Sequence, residues 1–261
     1  MSRESGGNPF LLQQLAAFGA QARLDEVVMA RAAQLEDPPR RLLEAICLSG
    51  RPIEARVAAS AVGLAEDDLA VRLLKGARLV RATPAGEREK LEAWHDRVRE
   101  SVVASLSGAD QVRLHLGLAD ALEKHAPGEL DALAVHLLAA GQTARAAHAT
   151  SHAARVAAEQ LAFDRAAVLY GQALELLPTD APQRHPLWVG LGDCLADAGR
   201  GPEAAAAYES AVELGQCAAG EALDLKRRGA EQLLRSGHVD KGMQAMREVL
   251  QTVGMTIAPQ P

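Results

Sequence analysis

The chain has 261 residues, enough for one to three domains and for a core that needs no disulfides. About a fifth of the residues are alanine and about a seventh leucine, while aromatics make up only 3%, which favours helices and argues against an all-β fold. A formal net charge of −6 disfavours a nucleic-acid binder, and no run of about 18 uncharged apolar residues offers a membrane span.

Met1–Gly7 has no apolar signal core, so the expected location is the cytoplasm. Cys47, Cys194 and Cys217 are odd in number and form no C-x-x-C pair. They read as reduced thiols packed in helices rather than as a metal or redox set.

In chain order, Asn8-Pro9 caps and opens a helix that runs from Phe10 to about Phe18 and stops at Gly19. A second helix is expected over about 24–35, before Asp37-Pro38-Pro39, and a third over 39–48, before Ser49-Gly50-Arg51-Pro52. Short helices follow at about 53–62 and 66–76, closed by Gly63 and Gly76. Residues 77–83 alternate weakly, Pro84–Glu87 makes a turn, and 90–94 pairs back as a small hairpin. Three helices followed by a hairpin is the order of a winged helix. His95–Leu106 and Asp110–His125 are amphipathic and helical, and from about 129 onward the pattern is helix, short loop, helix.

That last part repeats. Leu161, Gly199 and Gly237 fall at equal intervals, as do Ala166, Ala204 and Gly242. Tyr170, Tyr208 and Met246 share the same interval, and so do Ala173, Ala211 and Val249. Small residues in two columns let paired helices approach closely, and a large residue in a third fills the gap between neighbouring pairs. Each pair leaves an apolar face that only the next pair covers, so the units stack.

Trp188-x-x-Leu191-Gly192, continuing to Leu195, Gly199, Ala204, Tyr208 and Ala211, resembles the tetratricopeptide signature, with Leu195 in an aromatic slot. Residues 166–178 match its second half, and Gly242 and Met246 match less well. The longer spacing here than in that family places extra residues in linkers such as Pro178–Pro182.

Further forward, Glu4–Leu12, with Gly7-Asn8-Pro9-Phe10, resembles a segment near the end of STAND-type ATPase domains, the signalling ATPases related to NB-ARC and AAA+ proteins. Trp94-His95-Asp96-Arg97-Val98-Arg99-Glu100 resembles the "HD" segment of the same family, and Gln111–Leu122 the helix that leads into its repeats. The resemblance is strongest to the C-terminal region of bacterial regulators that carry a Ser/Thr kinase or another effector. It implies three parts: residues 1–20 as the end of an ATPase domain, 21–106 as a winged-helix-like domain, and 107–261 as helical repeats. It further implies that Pro9 lies against a nucleotide base and that His95, oriented by Asp96, reaches a phosphate of ADP once an ATPase domain is supplied. Read from the residues alone, His95-Asp96 caps the helix that begins there.

The chain has no Gly-Lys step and therefore no Walker A loop to hold phosphates, and the kinase motif set is missing too. No catalytic residue, cofactor or metal is expected for this chain alone; ATP or ADP belongs to a longer parent. His148 and His152 are four apart, but lack the glutamate and third ligand of a zinc helix. Gly190-x-Gly192 belongs to the repeat signature, since no strand precedes it. As a DNA reader the winged helix is poor, because its recognition helix opens on Glu66-Asp67-Asp68 and offers only Arg72 and Lys75.

The expected architecture is mainly α: a winged-helix-like domain with one small β-hairpin, then a tetratricopeptide-like α-solenoid. The expected function is a regulatory module whose repeats capture a protein or peptide, with self-association as a further option. In tetratricopeptide repeats the first helix of each pair lines the binding face. This assigns partner contacts to His148, Arg155 and Glu159, to Asp193 and Asp197, and to Arg227, Glu231 and Arg235.

Overall fold

The computed structural model describes residues 30–32, 34–65, 68–85 and 88–256. Pro9 and the helix expected over 10–18 lie outside them. Packing divides the chain into two compact units, Met1–Gly141 and Gln142–Pro261.

In the first unit, α1 (Asp37–Ser49) carries Pro38 and Pro39 in its opening turn, where a missing N–H costs nothing. Its inner face buries Leu42, Leu43, Ile46 and Cys47. Burial, against a smaller opposing pull from Arg99, pushes the Cys47 thiol up to about 12, so it behaves as a small apolar side chain. Then come β1 (Ile53–Glu54), α2 (Ala55–Ala61), α3 (Asp68–Gly76), β2 (Val80–Ala85) and β3 (Arg88–Ala93).

The antiparallel sheet has the order β1-β3-β2, with Ile53 and Ala82 both opposite Leu91. Leu91 and Val80 are fully buried and Ile53 nearly so, as period-2 alternation requires. Helix, short strand, two helices and hairpin make up this part. The sheet departs from the expected lone hairpin: Ile53 and Glu54, assigned above to a helix, form a third edge strand. Two residues following Pro52 are too few to show an alternating pattern.

The helices α4 (Asp96–Ser105), α5 (Gly108–His125) and α6 (Leu130–Ala139) complete the unit. Ser107 caps α5, accepting the Asp110 N–H at 3.1 Å and donating to its carboxylate at 2.7 Å. Helix α5 lies so close to α2 that a Cβ on Gly117 would sit 2.2 Å from the Ala61 carbonyl oxygen. This contact draws residues past 107, where the sequence reading starts the repeats, into the first unit. At α6, Glu129 joins Arg51 and the Lys90 ammonium, 3.0 Å away, and these cations hold its carboxyl below the usual range. Behind them, His136 is buried with its Nδ1 2.9 Å from Nδ1 of His115.

The second unit is three helical hairpins: α7 (Thr143–Glu159) with α8 (Phe163–Leu176), α9 (Arg184–Asp197) with α10 (Gly201–Glu213), and α11 (Ala219–Arg235) with α12 (Val239–Thr252). The turns inside the hairpins superpose in hydrogen bonding. Ala162, Arg200 and His238 donate their N–H groups to the carbonyls of Ala157, Leu195 and Leu233 at 2.8–2.9 Å. One residue earlier, Leu161, Gly199 and Gly237 adopt the left-handed conformation, with φ of 61°, 76° and 84°. Two of the three use glycine, which alone adopts it without strain; the third uses a leucine whose side chain is 73% exposed. Among the described residues, no helix is long and apolar enough to cross a membrane.

Two outcomes follow. Gly117→Ala gains about 1 kcal/mol of helix propensity but overpacks a backbone carbonyl that cannot move aside, so chemical denaturation is expected to show a net loss of about 1–3 kcal/mol. Burial first, then His115 and Arg51, push His136 down to about 4 from the ordinary 6.5, which keeps it neutral in the fold. The unfolded chain takes up that proton, so this contribution is complete above pH 6.5 and is lost as pH falls from there through about 4. The denaturation midpoint is expected to drop between pH 7.5 and 4.5 by less in His136→Gln than in the wild type.

Candidate functional site

The repeats are held in register by rings laid on positions that lack side chains. Tyr170 of α8 lies over Gly190 of α9, where a Cβ would be 2.7 Å from the ring. Tyr208 of α10 lies over Gly192 of its own hairpin, where a Cβ would be 2.5 Å from the ring. Ala166, Ala173, Ala204 and Ala211 beside them are fully buried. The residue that stands to Tyr208 as Gly190 stands to Tyr170 is Arg228. Its guanidinium sits 4.5 Å from the centre of the Tyr208 ring, a cation over an aromatic face.

Around that stack a polar trio forms. The Tyr208 hydroxyl donates to Asp193 Oδ1 at 2.8 Å, and Arg228 donates to the Tyr208 oxygen at 2.8 Å and also to Asp193. Burial first, then Asp193, raise the Tyr208 hydroxyl well above its usual value, so it stays a donor. Burial, helped by Asp193 and Asp197, pushes the Cys194 thiol up to about 11.

This trio is the floor of an open cleft of about 410 Å³ between α9 and α11, lined by Asp193, Ala196, Asp197, Tyr208, Arg227, Arg228, Glu231 and Gln232. Of the partner contacts expected from sequence, Asp193, Asp197, Arg227 and Glu231 are thus brought together. Arg227 also pairs with Glu231 and, at 2.6 Å, with Asp224. Arg235 is exposed on α11 but does not line the cleft. His148, Arg155 and Glu159 lie on α7, outside the lining; His148 is exposed, and Arg155 pairs with Glu159 at 2.6 Å. Sequence reasoning missed Arg228 and the part played by Tyr208 in the floor, although counting one repeat forward from Gly190 reaches Arg228.

In the first unit, His95 caps α4, its Nδ1 accepting the Arg97 N–H at 3.2 Å. The Asp96 carboxylate is exposed, 4.0 Å from the Arg99 guanidinium. On α3, Lys75 is paired with Glu89 at 2.6 Å, and Leu69 and Leu73 are exposed, a face poorly suited to phosphates.

Tyr208→Phe removes the hydroxyl but keeps the ring, and Tyr208→Ala removes both. Because Asp193 and Arg228 are partly solvated, denaturant titration is expected to show a loss of about 1 kcal/mol for the first. The second is expected to lose about 3–5 kcal/mol.

No protein-family model matches the sequence. No curated protein matches it either. Among solved structures, a Signal Transduction ATPase with Numerous Domains (STAND) protein with a tetratricopeptide repeat sensor, from Pyrococcus horikoshii, is similar at 14% identity and a TM-score of 0.43. That match covers 97% of this chain and 47% of that one, so the chain spans about half the length of that protein. BtubC from P. vanneervenii is similar at 15% identity and a TM-score of 0.38, over 96% of this chain and 95% of that one.

Proposed function

We propose that this chain is a non-catalytic regulatory and protein-binding module, and that the cleft between α9 and α11 captures a peptide or an exposed segment of a protein partner. The observation that carries this reading is the division of labour among the charges in the cleft. Arg228, Asp193 and Tyr208 satisfy one another and fix the floor. Arg227 and Glu231 pair on the exposed rim, where an ion pair is worth less than about 1 kcal/mol and exchanges partners readily.

The Asp197 and Gln232 side chains have no hydrogen bond or ion pair among the described residues. Asp197 therefore suits a basic side chain or backbone N–H groups, and Arg227 suits a carboxylate. The matching segment carries both signs and binds by polar contacts along two neighbouring helices.

The chain is also proposed to be the C-terminal part of an ATP- or ADP-binding STAND-type signalling protein, fused to a Ser/Thr kinase or another effector. What supports this is the resemblance of residues 4–12 and 94–102, together with the start of α4, where His95 is half-buried and Asp96 exposed. Nucleotide chemistry would then belong to a preceding domain, since this stretch carries no Walker A loop.

Peptides selected by the wild-type chain from a random display library are expected to bind an Asp197→Lys, Arg227→Glu double variant at least about ten-fold more weakly, or about 1.4 kcal/mol, with an unchanged circular dichroism spectrum. Equal affinity for both chains would remove the cleft from this role.

A further inference from the structure

The opposite end of the same helices holds a group that the peptide reading does not use. His185 lies in the first turn of α9, Glu221 in the first turn of α11, and Cys217 in the loop between α10 and α11. The ligand atoms of all three lie within 4.8 Å of one another, and among the described residues they form the one such set of mixed His, Cys and carboxylate. Cys217 is unpaired and half-buried, unlike the buried Cys47 and Cys194.

The hydrogen bonding of His185 is compatible with a metal-binding role. Its Nδ1 is 3.1 Å from the carbonyl oxygen of Ala211, and its Nε2 is 3.0 Å from a carboxylate oxygen of Glu221. Both neighbours are acceptors. A neutral imidazole has one N–H, so either tautomer leaves a ring lone pair facing an oxygen. A ring carrying both protons would donate to both oxygens; a cation on the Nε2 side also ends the conflict. Nδ1–H then donates to the Ala211 carbonyl, the backbone bond that commonly orients a metal-bound histidine. Nε2, the carboxylate and the thiolate all turn toward the ion.

We propose that His185, Cys217 and Glu221 form a binding site for Zn²⁺. An imidazole, a thiolate and a carboxylate suit a borderline-soft ion and not Mg²⁺ or Ca²⁺, which take oxygen ligands. Tetrahedral bonds of about 2.0–2.3 Å set ligand atoms roughly 3.3–3.6 Å apart, so the His185–Glu221 pair opens slightly on binding. Three protein ligands leave the fourth position to water. On binding, the Cys217 thiol releases its proton to solvent as the S–Zn bond forms. The ion ties the first turns of α9 and α11 together, and these two helices form the walls of the cleft.

The test uses the whole chain, stripped with chelator and kept reduced. Titration with Co²⁺ is expected to give one equivalent per chain with a thiolate-to-cobalt charge-transfer band, and Zn²⁺ is expected to displace it. Competition against a chromophoric chelator is expected to show Zn²⁺ affinity falling at least about ten-fold in Cys217→Ser and in Glu221→Gln. Glu221 is exposed, so its variant keeps the fold even if changes nearer the core do not. A His148→Gln, His152→Gln double variant is expected to bind as the wild type does. A missing charge-transfer band, unchanged affinity in either ligand variant, or loss of binding in the His148/His152 control would each overturn the proposal.

Discussion

The second unit depends on one steric constraint: two helices approach closely enough for a ring to lie where a side chain would otherwise be. Tyr170 over Gly190 and Tyr208 over Gly192 leave no space for even a methyl group. The alanines on either side of each ring are fully buried, which lets the backbones close on it. With 3% aromatics in the whole chain, each ring carries a large share of the packing in its repeat. The polar trio builds on this contact: Asp193 and Arg228 pair directly, and both bond the hydroxyl of the Tyr208 ring.

The first unit meets the same demand differently. Its core mixes branched side chains, with Leu42, Leu43, Leu74 and Leu91 at or near zero exposure, with buried alanines such as Ala45, Ala58 and Ala119, and Gly117 packs against Ala61. Its polar interior is also different. A histidine pair, His136 buried and His115 half-buried, and a carboxylate shared between Arg51 and Lys90 replace the tyrosine-centred trio.

Much of this was readable from the amino acids. The columns at Ala166, Ala204 and Gly242 and at Leu161, Gly199 and Gly237 are spatial equivalents, because the hydrogen bonds of the turns repeat at the same interval. Helix ends were legible where glycines marked them, as at Gly50 and Gly63, while the Ser107 cap was missed and that helix begins at Gly108 instead of Asp110. The two-residue strand at Ile53 was not, since pairing to Leu91 is a tertiary fact with no local period. Nor did spacing show that Gln111–Leu122 packs on α2, because one helix–helix contact resembles another in sequence. In the cleft, the four-residue spacing found Asp193 with Asp197 and Arg227 with Glu231. Arg228 escaped because, set beside Arg227, it reads as another surface cation, and only the ring beneath it gives it a different role.

Leu161 breaks a rule that its sister turns obey. An L-residue with a bulky side chain held at φ 61° carries local strain, and the exposed aliphatic group recovers little by way of packing. The first hairpin is therefore the one whose connection is furthest from its relaxed shape. Since α7 and α8 stand apart from the cleft lining, evolution or an engineer is free to strengthen the solenoid there while leaving the cleft untouched.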